Sequence, residues 1–404
     1  MKKDWEIKKL GDVCDLQNGF AFKSSDYVEK SNVMNFRMSQ IRPDGTMDLY
    51  HNTKYLPEDY ANKYSDYLLS DGDVVIAMTD MASDPRILGR PTIVFTDGYK
   101  VLLNQRVGKL FKFDKNIYPK FLNYMLVSPS ICDYYKSLGR GGLQLNISKQ
   151  DILNASIPVP PLEEQKRIVK VLDEKFTHLE TIKTNAQTNL QNAKDLFQSQ
   201  LTKAFSNTTW EKAKLEDIAL DFSRGKSKHR PRNDKCLFGG DYPFIQTGDI
   251  RNADKYVTDY SETYNETGLA QSKLWPAGTL CITIAANIAE TAILSFSCCF
   301  PDSVIGFIPN EKLTTVDFVY YLIQFFKSEL QNLSKGAAQD NLNLAKFENM
   351  NFPLPPLPEQ KRIVKELDTL SEKVRQLQEI YTKQIANCDE LKQSLLQKAF
   401  EGEL

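Results

Sequence analysis

Arg224, Lys226, Lys228, Arg230, Arg232 and Lys235 place six cations within twelve residues, with His229 among them and Asp234 as the single acid. Gly225 and Pro231 punctuate the stretch, which marks it as a loop rather than a helix face. Cations at that density suit the phosphate oxygens of a nucleic acid; the plainer reading is a solvated surface. Gln246, Thr247, Asp249 and Arg251 follow an apolar, strand-like run. Their amide and guanidinium groups can pair with base edges or serve as ordinary turn residues. Thinner sets stand earlier in the chain, Lys23 with Ser24 and Ser25, then Arg37, Ser39, Gln40 and Arg42. Gln144 and Asn146 recur as Gln339 and Asn341, with Arg140 and Lys335 nearby. Residues repeated so faithfully fit backbone capping or phosphate contact better than the reading of bases that differ.

Catalytic chemistry is harder to assemble. Methyl transfer to an exocyclic amine calls for a glycine-bearing cofactor loop and an Asn/Asp-Pro-Pro-aromatic motif, yet Asp84-Pro85 is followed by Arg86. Gly225-Lys226-Ser227 imitates the end of a phosphate-binding loop, but Leu220 stands where its first glycine belongs. The seven cysteines form no Cys-x-x-Cys pair, and His51, His178 and His229 are isolated. The chain is therefore expected to use no catalytic residue, no cofactor and no metal.

The elements that position these residues come in two copies. Pro160 to Asp173 reads PPLEEQKRIVKVLD and Pro355 to Asp368 reads PPLPEQKRIVKELD, identical at twelve of 14 positions. The register holds without a gap from Gly141 and Gly336 to Phe205 and Phe400. The preceding stretches match more faintly: Trp5 with Trp210, Ile41-Arg42 with Ile250-Arg251, and Gly72-x-Val74 with Gly278-x-Leu280.

The proline cluster around Pro158, Pro160 and Pro161, and its twin from Pro353 to Pro358, predicts a stiff entry into a helix. From Leu162 to Phe205 there is no glycine or proline, and Leu172, Leu179, Ala186 and Ala193 recur at heptad spacing, with Lys183 breaking a neighbouring row. Leu367, Val374, Tyr381, Cys388 and Leu395 continue the pattern in the second copy, with Leu391 alongside. Each helix would be about 60 Å long. If the two stripes bury each other, the helices run antiparallel, with two similar heads related by a pseudo-two-fold axis. The heads read as mixed α/β, with buried strands at Val74–Met78, Leu280–Ile284 and Ile293–Phe296 and helices at Phe121–Leu126 and Phe318–Phe326. The expected segments are 1–157 (first head), 158–205 (central helix), 206–352 (second head) and 353–404 (C-terminal helix).

Charged residues are a quarter of the chain and the net charge is −1, so a nucleic-acid partner would meet local patches rather than a globally basic protein. No apolar run reaches the roughly 18 residues needed to span a membrane. An odd cysteine count without framework spacing suits reduced thiols, and a cytoplasmic location is expected.

The doubled Pro-Pro-Leu-x-Glu-Gln-Lys-Arg-Ile-Val block, each copy opening a long helix after a variable head, resembles the specificity subunit of type I restriction–modification enzymes. Gly19-Phe20-Ala21-Phe22-Lys23-Ser24, Gly225-Lys226-Ser227-Lys228 and Tyr242 to Ile250 (YPFIQTGDI) are similar to that family as well. The resemblance implies a non-catalytic chain whose heads are two target recognition domains, each reading one half of a bipartite sequence in double-stranded DNA. It implies partners too: two methyltransferase subunits docked on the helices and, through them, restriction subunits. Glu164, Gln165, Lys166 and Arg167, with Glu359, Gln360, Lys361 and Arg362, are the candidate docking surface; the alternative is helix-start chemistry on an exposed face. A coiled-coil adaptor for protein or RNA is the rival reading of the whole chain.

Overall fold

The computed structural model describes residues 5–285, 288–334 and 347–404; Lys335, Gln339 and Asn341 lie outside the described residues. The chain divides into two compact units, residues 1–187 with 383–404, and residues 188–382. Each unit holds one head together with part of both long helices.

In unit one the first strand, Glu6–Lys9, pairs antiparallel with the last strand of the head, Ser156–Val159, placing Ile7 opposite Pro158. An antiparallel sheet runs Asp15–Asn18, Val107–Phe111, Val74–Ala77, Pro91–Ile93. All four residues of Val74–Ala77 are buried, as a continuous apolar run between two layers requires. Gly72, at φ +89°, makes the turn before it. A second sheet runs Tyr55–Leu56, Val33–Phe36, Lys100–Leu103, Leu68–Leu69, with its middle pair parallel.

Unit two repeats this plan. Glu211–Ala213 pairs with Phe352–Leu354, Lys212 opposite Pro353. One sheet runs Ala219–Arg224, Val304–Pro309, Leu280–Thr283, Thr291–Leu294, Tyr256–Val257. The other runs Glu262–Tyr264, Phe238–Phe244, Cys298–Cys299, Leu274–Trp275, with Phe244 parallel to Cys299. The expected helices are present as Pro119–Leu126 in head one and Val316–Ser334 in head two.

The long helices are Leu162–Phe205 and Leu357–Glu401. Within unit one they run antiparallel: Lys183 Nζ donates to Asp389 at 2.7 Å, Lys392 lies over the Phe176 ring, and Arg167 donates to the Leu404 carbonyl at 2.7 Å. Leu172, Leu396, Ala399 and Phe400 enter the core of head one, where Phe400 meets Phe121 edge to face. In unit two Leu201, Phe205, Ile363 and Leu367 share a core with Phe318 and Tyr321. Lys183 breaks its apolar row because it pairs with an acid on the other helix. Leu391, expected beside the stripe, is 49% exposed; Leu396 is the buried residue there.

The segment boundaries drawn at 157/158 and 352/353 fall inside the strands that close each head. Pro158 and Pro353 are strand residues, so the stiff entry begins after them, and each helix is shared between units because its apolar stripe is divided between two cores. Among the described residues no helix is long and apolar enough to cross a membrane.

Candidate nucleic-acid interface

In each head, two of the segments singled out by residue type leave from opposite flanks of one strand end. In head one the Gly19 N–H donates to the Val107 carbonyl, Phe20 donates to Leu103, and Asn104 donates to Phe36. The segments beginning at Phe20 and at Arg37 therefore border Leu103–Asn104. In head two the Gly225 N–H donates to Val304 and Ile245 donates to Cys299, so the segments beginning at Gly225 and at Gln246 border Cys299–Pro301. Both glycines are needed for close approach. A Cβ on Gly19 would lie 2.1 Å from the Asn104 oxygen, and one on Gly225 would lie 2.3 Å from the Phe300 oxygen.

The loop after Gly225 carries the denser charge. Arg224, Lys226, Lys228 and Lys235 are exposed and have no carboxylate at ion-pair distance among the described residues. Arg230 and Arg232 are engaged within the head: Arg232 sits 2.8 Å from Asp302, and Arg230 donates to the Ser227 and His229 carbonyls at 2.6 and 2.8 Å. In head one Lys23, Ser24 and Ser25 are exposed on a short turn, and Asp26 accepts the Lys23 N–H.

The second segment sorts into presenters and braces. Gln246 and Arg251 are exposed and Thr247 is half-buried; Gln246 donates to Glu262 at 2.8 Å, and its own N–H donates to Asp249. Arg37 and Arg42 are half-buried in head one. Gln40 is fully buried, accepting the Arg37 N–H at 2.7 Å and donating to the Leu49 carbonyl at 2.6 Å. It caps its turn as Asp249 does in head two, which removes Gln40 from the base-reading set. Arg140 is exposed, with Asp151 3.7 Å away. Asn146, itself exposed, accepts from Thr79 and donates to the Gln144 carbonyl.

The repeated helix block divides likewise. Gln165 and Gln360 are fully buried. Gln165 accepts the Tyr118 N–H at 2.9 Å and donates to the Asn116 and Pro160 carbonyls at 2.8 Å. Gln360 accepts from Thr314 at 2.9 Å and donates to the Leu313 and Pro355 carbonyls. Two glutamines spent inside their own heads offer nothing to a docking partner, which corrects the expectation for that pair. Lys166, Arg167, Lys361 and Arg362 remain exposed. Arg167 pairs with Glu164, and Arg362 with Glu359 and Glu366. The Arg362 guanidinium holds the Glu359 carboxyl below its usual range, against a smaller opposing effect of burial.

Asp173 and Asp368 belong to the same block and were not singled out by type. Asp173 accepts Tyr124 Oη and Lys120 Nζ; Asp368 accepts Tyr321 Oη and Lys255 Nζ. Their identity at matched positions was a usable signal. Gln271, Ser272 and Asp302 also hold the basic loop, but they sit far from it in sequence and nothing in their local pattern marks them.

Among the described residues, His229, Asp234 and Cys236 bring donor atoms within 4.8 Å of one another, which sequence spacing did not suggest. None is buried, cations surround them, and His229 Nε2 already lies 3.0 Å from Asp234. The Cys236 N–H, followed by His229, holds the Asp234 carboxyl down at about 2. The trio reads as a loop brace. A cavity of about 650 Å³ in unit two is lined by Asp249, Asp254, Asp259, Asp368 and Glu372, with Lys255 committed to Asp317 and Asp368, a net acidic wall unsuited to phosphate.

Two α/β heads of one plan, each closing onto a helix through the same residues, define a duplicated recognition protein rather than a catalytic fold. The sequence model of the type I restriction modification DNA specificity domain matches residues 2–191 and again 207–385, and the chain belongs to that family. It is 23% identical to the putative type I restriction enzyme MjaX specificity subunit of Methanocaldococcus jannaschii, covering 100% of this chain and 94% of that one. The EcoBI specificity subunit of Escherichia coli is 24% identical, over 99% and 86% of the two chains. The fold matches a chain solved in work on assembly and conformational transition of the type I R-M system (TM-score 0.78, 21% identity, 100% and 99% coverage). It also matches the HsdS subunit of Thermoanaerobacter tengcongensis (TM-score 0.59, 21% identity, 100% and 98% coverage). As a specificity subunit the chain is the non-catalytic member of its system, and the adaptor reading is set aside.

Proposed function

We propose that this specificity subunit binds double-stranded DNA through both heads, each reading one half of a bipartite target, and that it acts in the cytoplasm. The observation that carries the reading is the matched pair of segments bordering Leu103–Asn104 in one head and Cys299–Pro301 in the other. One framework there presents different side chains. Lys23, Ser24, Ser25, Arg37 and Arg42 face DNA from head one, with Arg140 as a phosphate contact. Arg224, Lys226, Lys228, Gln246, Thr247 and Arg251 do so from head two. Cations fix register on the phosphates, and polar side chains read base edges.

The exposed charges of the repeated block, Lys166 and Arg167 with Lys361 and Arg362, dock two methyltransferase subunits, through which restriction subunits join. Near-identity of that surface in both copies suits two copies of one partner.

The test is selection from a randomised duplex pool by the full chain assembled with its methyltransferase subunits. Recovery of a split motif with a fixed gap is expected, and replacing residues 206–352 with a homologous head should change one half only. Recovery of no preferred duplex would overturn the reading.

A further inference from the structure

Resting on that reading, we propose that Gln271, Ser272 and Asp302 are positioning residues that hold the Gly225–Lys235 loop in its DNA-reading shape before a duplex arrives. Gln271 Oε1 accepts two successive backbone N–H groups, from Lys228 at 2.7 Å and from His229 at 3.0 Å. Ser272 Oγ donates to the Lys226 carbonyl at 3.0 Å. Three backbone groups within residues 226–229 are thus fixed by two adjacent side chains on the segment between the helix Glu266–Ala270 and the strand Leu274–Trp275. Asp302, next to the Phe300–Pro301 backbone against which Gly225 packs, anchors Arg232.

The consequence is a sorted set of charges. Ser227 turns inward, 7% exposed, towards the side chain of Tyr264, while Lys226 and Lys228 on either side point out. Arg230 and Arg232 spend their guanidinium groups on the loop's own carbonyls and on Asp302. The segment that reads in sequence as six equivalent cations is therefore a scaffold braced by Arg230 and Arg232 that carries Arg224 and three lysines outward at set positions. A free polar loop would lose backbone freedom on binding; a loop ordered in advance gives that loss up during folding instead.

Head one shows the same support built from other chemistry. There Phe20 and Phe22 pack on Tyr60, Tyr64 and Tyr67, from the corresponding segment before the strand Leu68–Leu69. Rings seat the first loop, and an amide and a hydroxyl seat the second.

The test uses the full chain with its methyltransferase subunits, selecting from a randomised duplex pool, with the melting temperature read in parallel. Gln271→Ala is expected to keep the melting temperature and one half-site while lowering discrimination at the other half-site about tenfold, the scale of ordering one residue. Gln271→Glu keeps the oxygen that accepts both N–H groups and should restore the selected bases, which a role in general packing would not predict. An unchanged motif from Gln271→Ala overturns the proposal. If Gln271→Ala unfolds head two, Gln271→Glu decides: loss of the half-site motif at a wild-type melting temperature overturns it, and retention supports it. A wild-type chain that selects no split motif refutes the proposed function instead, so the two failures are distinguishable.

Discussion

The Tyr321 hydroxyl donates to Asp368 at 2.6 Å, tying the helix that fills the core of head two to the long helix that follows that head. Unit one contains the same tie, Tyr124 to Asp173, also at 2.6 Å. A lysine completes each, but from different places: Lys120 lies one turn before Tyr124 on its own helix, whereas Lys255 reaches in from outside the helix that carries Tyr321 and bridges Asp317 and Asp368. The aspartate and the tyrosine recur in both units while the lysine comes from different elements, so the joint between head and helix is built twice on one tie.

Replacing Tyr124 or Tyr321 with phenylalanine removes a hydrogen bond to a charged acceptor and should cost about 2 kcal/mol each, measured by urea denaturation. The ties also set an alkaline limit. Burial, then the aspartate, raises both tyrosine pKa values above the usual 10.0. Burial opposes the charge on Lys255, yet its hydrogen bonds to Asp317 and Asp368 leave its pKa raised above 10.5. Groups raised in the fold contribute stability that is full below their unfolded values and is lost as pH rises through the folded ones. Stability should therefore hold to about pH 10 and fall above it, less steeply in the double Tyr→Phe variant.

Gln165→Ala and Gln360→Ala should each lose about 3 kcal/mol, since a buried N–H or hydroxyl and two buried carbonyls lose their partner. Chemical denaturation reads this directly. Methyltransferase affinity per folded molecule should be unchanged. Lys166→Glu with Lys361→Glu should give the opposite result, ordinary stability and at least tenfold weaker association, by reversing charge on the docking face. If Gln165→Ala weakens association with no loss of stability, the buried-brace assignment fails.

Much of this architecture was legible in the residues. The heptad stripe, the glycine-free runs and the repeated block specified two long helices, and continuous apolar runs such as Val74–Ala77 specified buried strands, because period and composition are local signals. Residue type alone could not separate presenters from braces. Gln40 and Gln246 are both glutamines of a short turn after an apolar strand, yet Gln40 closes its turn from the buried side while Gln246 opens its own and is exposed, a difference that residue type does not carry. The clamp on the basic loop was invisible for the same reason, since Gln271 stands more than forty positions from the N–H groups it accepts. Pro158 and Pro353 belong to the strands that close the heads, where an edge position tolerates proline, so a proline cluster alone does not show where strand gives way to helix.

Gly225→Ala should distort the second head's loop without unfolding the chain. The added Cβ would meet the Phe300 and Pro301 oxygens at 2.3 and 2.4 Å, and backbone cannot yield as a flexible side chain can, so a cost of about 1–3 kcal/mol is expected. Selection from random duplexes should lose one half-site. Gly19→Ala, whose Cβ would approach the Asn104 oxygen at 2.1 Å, should lose the other. Loss of the same half-site by both variants would refute the assignment of one reading surface to each head.

The outward lysines and the anchored arginines should separate by salt dependence. A side chain that neutralises one phosphate contributes about one unit to the slope of log affinity against log salt. Lys226→Ala and Lys228→Ala should each lower that slope by about one, weakening binding to all duplexes alike and leaving the selected motif intact. Arg232 is committed to Asp302 and should behave differently. Arg232→Ala leaves the outward charges in place, so the slope should change by well under one unit, while discrimination at the second half-site falls because the loop loses an anchor. Titration of binding between low and moderate salt, on a selected and a scrambled duplex, measures both quantities. A full unit lost from the slope in Arg232→Ala would place that guanidinium on the DNA and return the loop to a set of six equivalent cations.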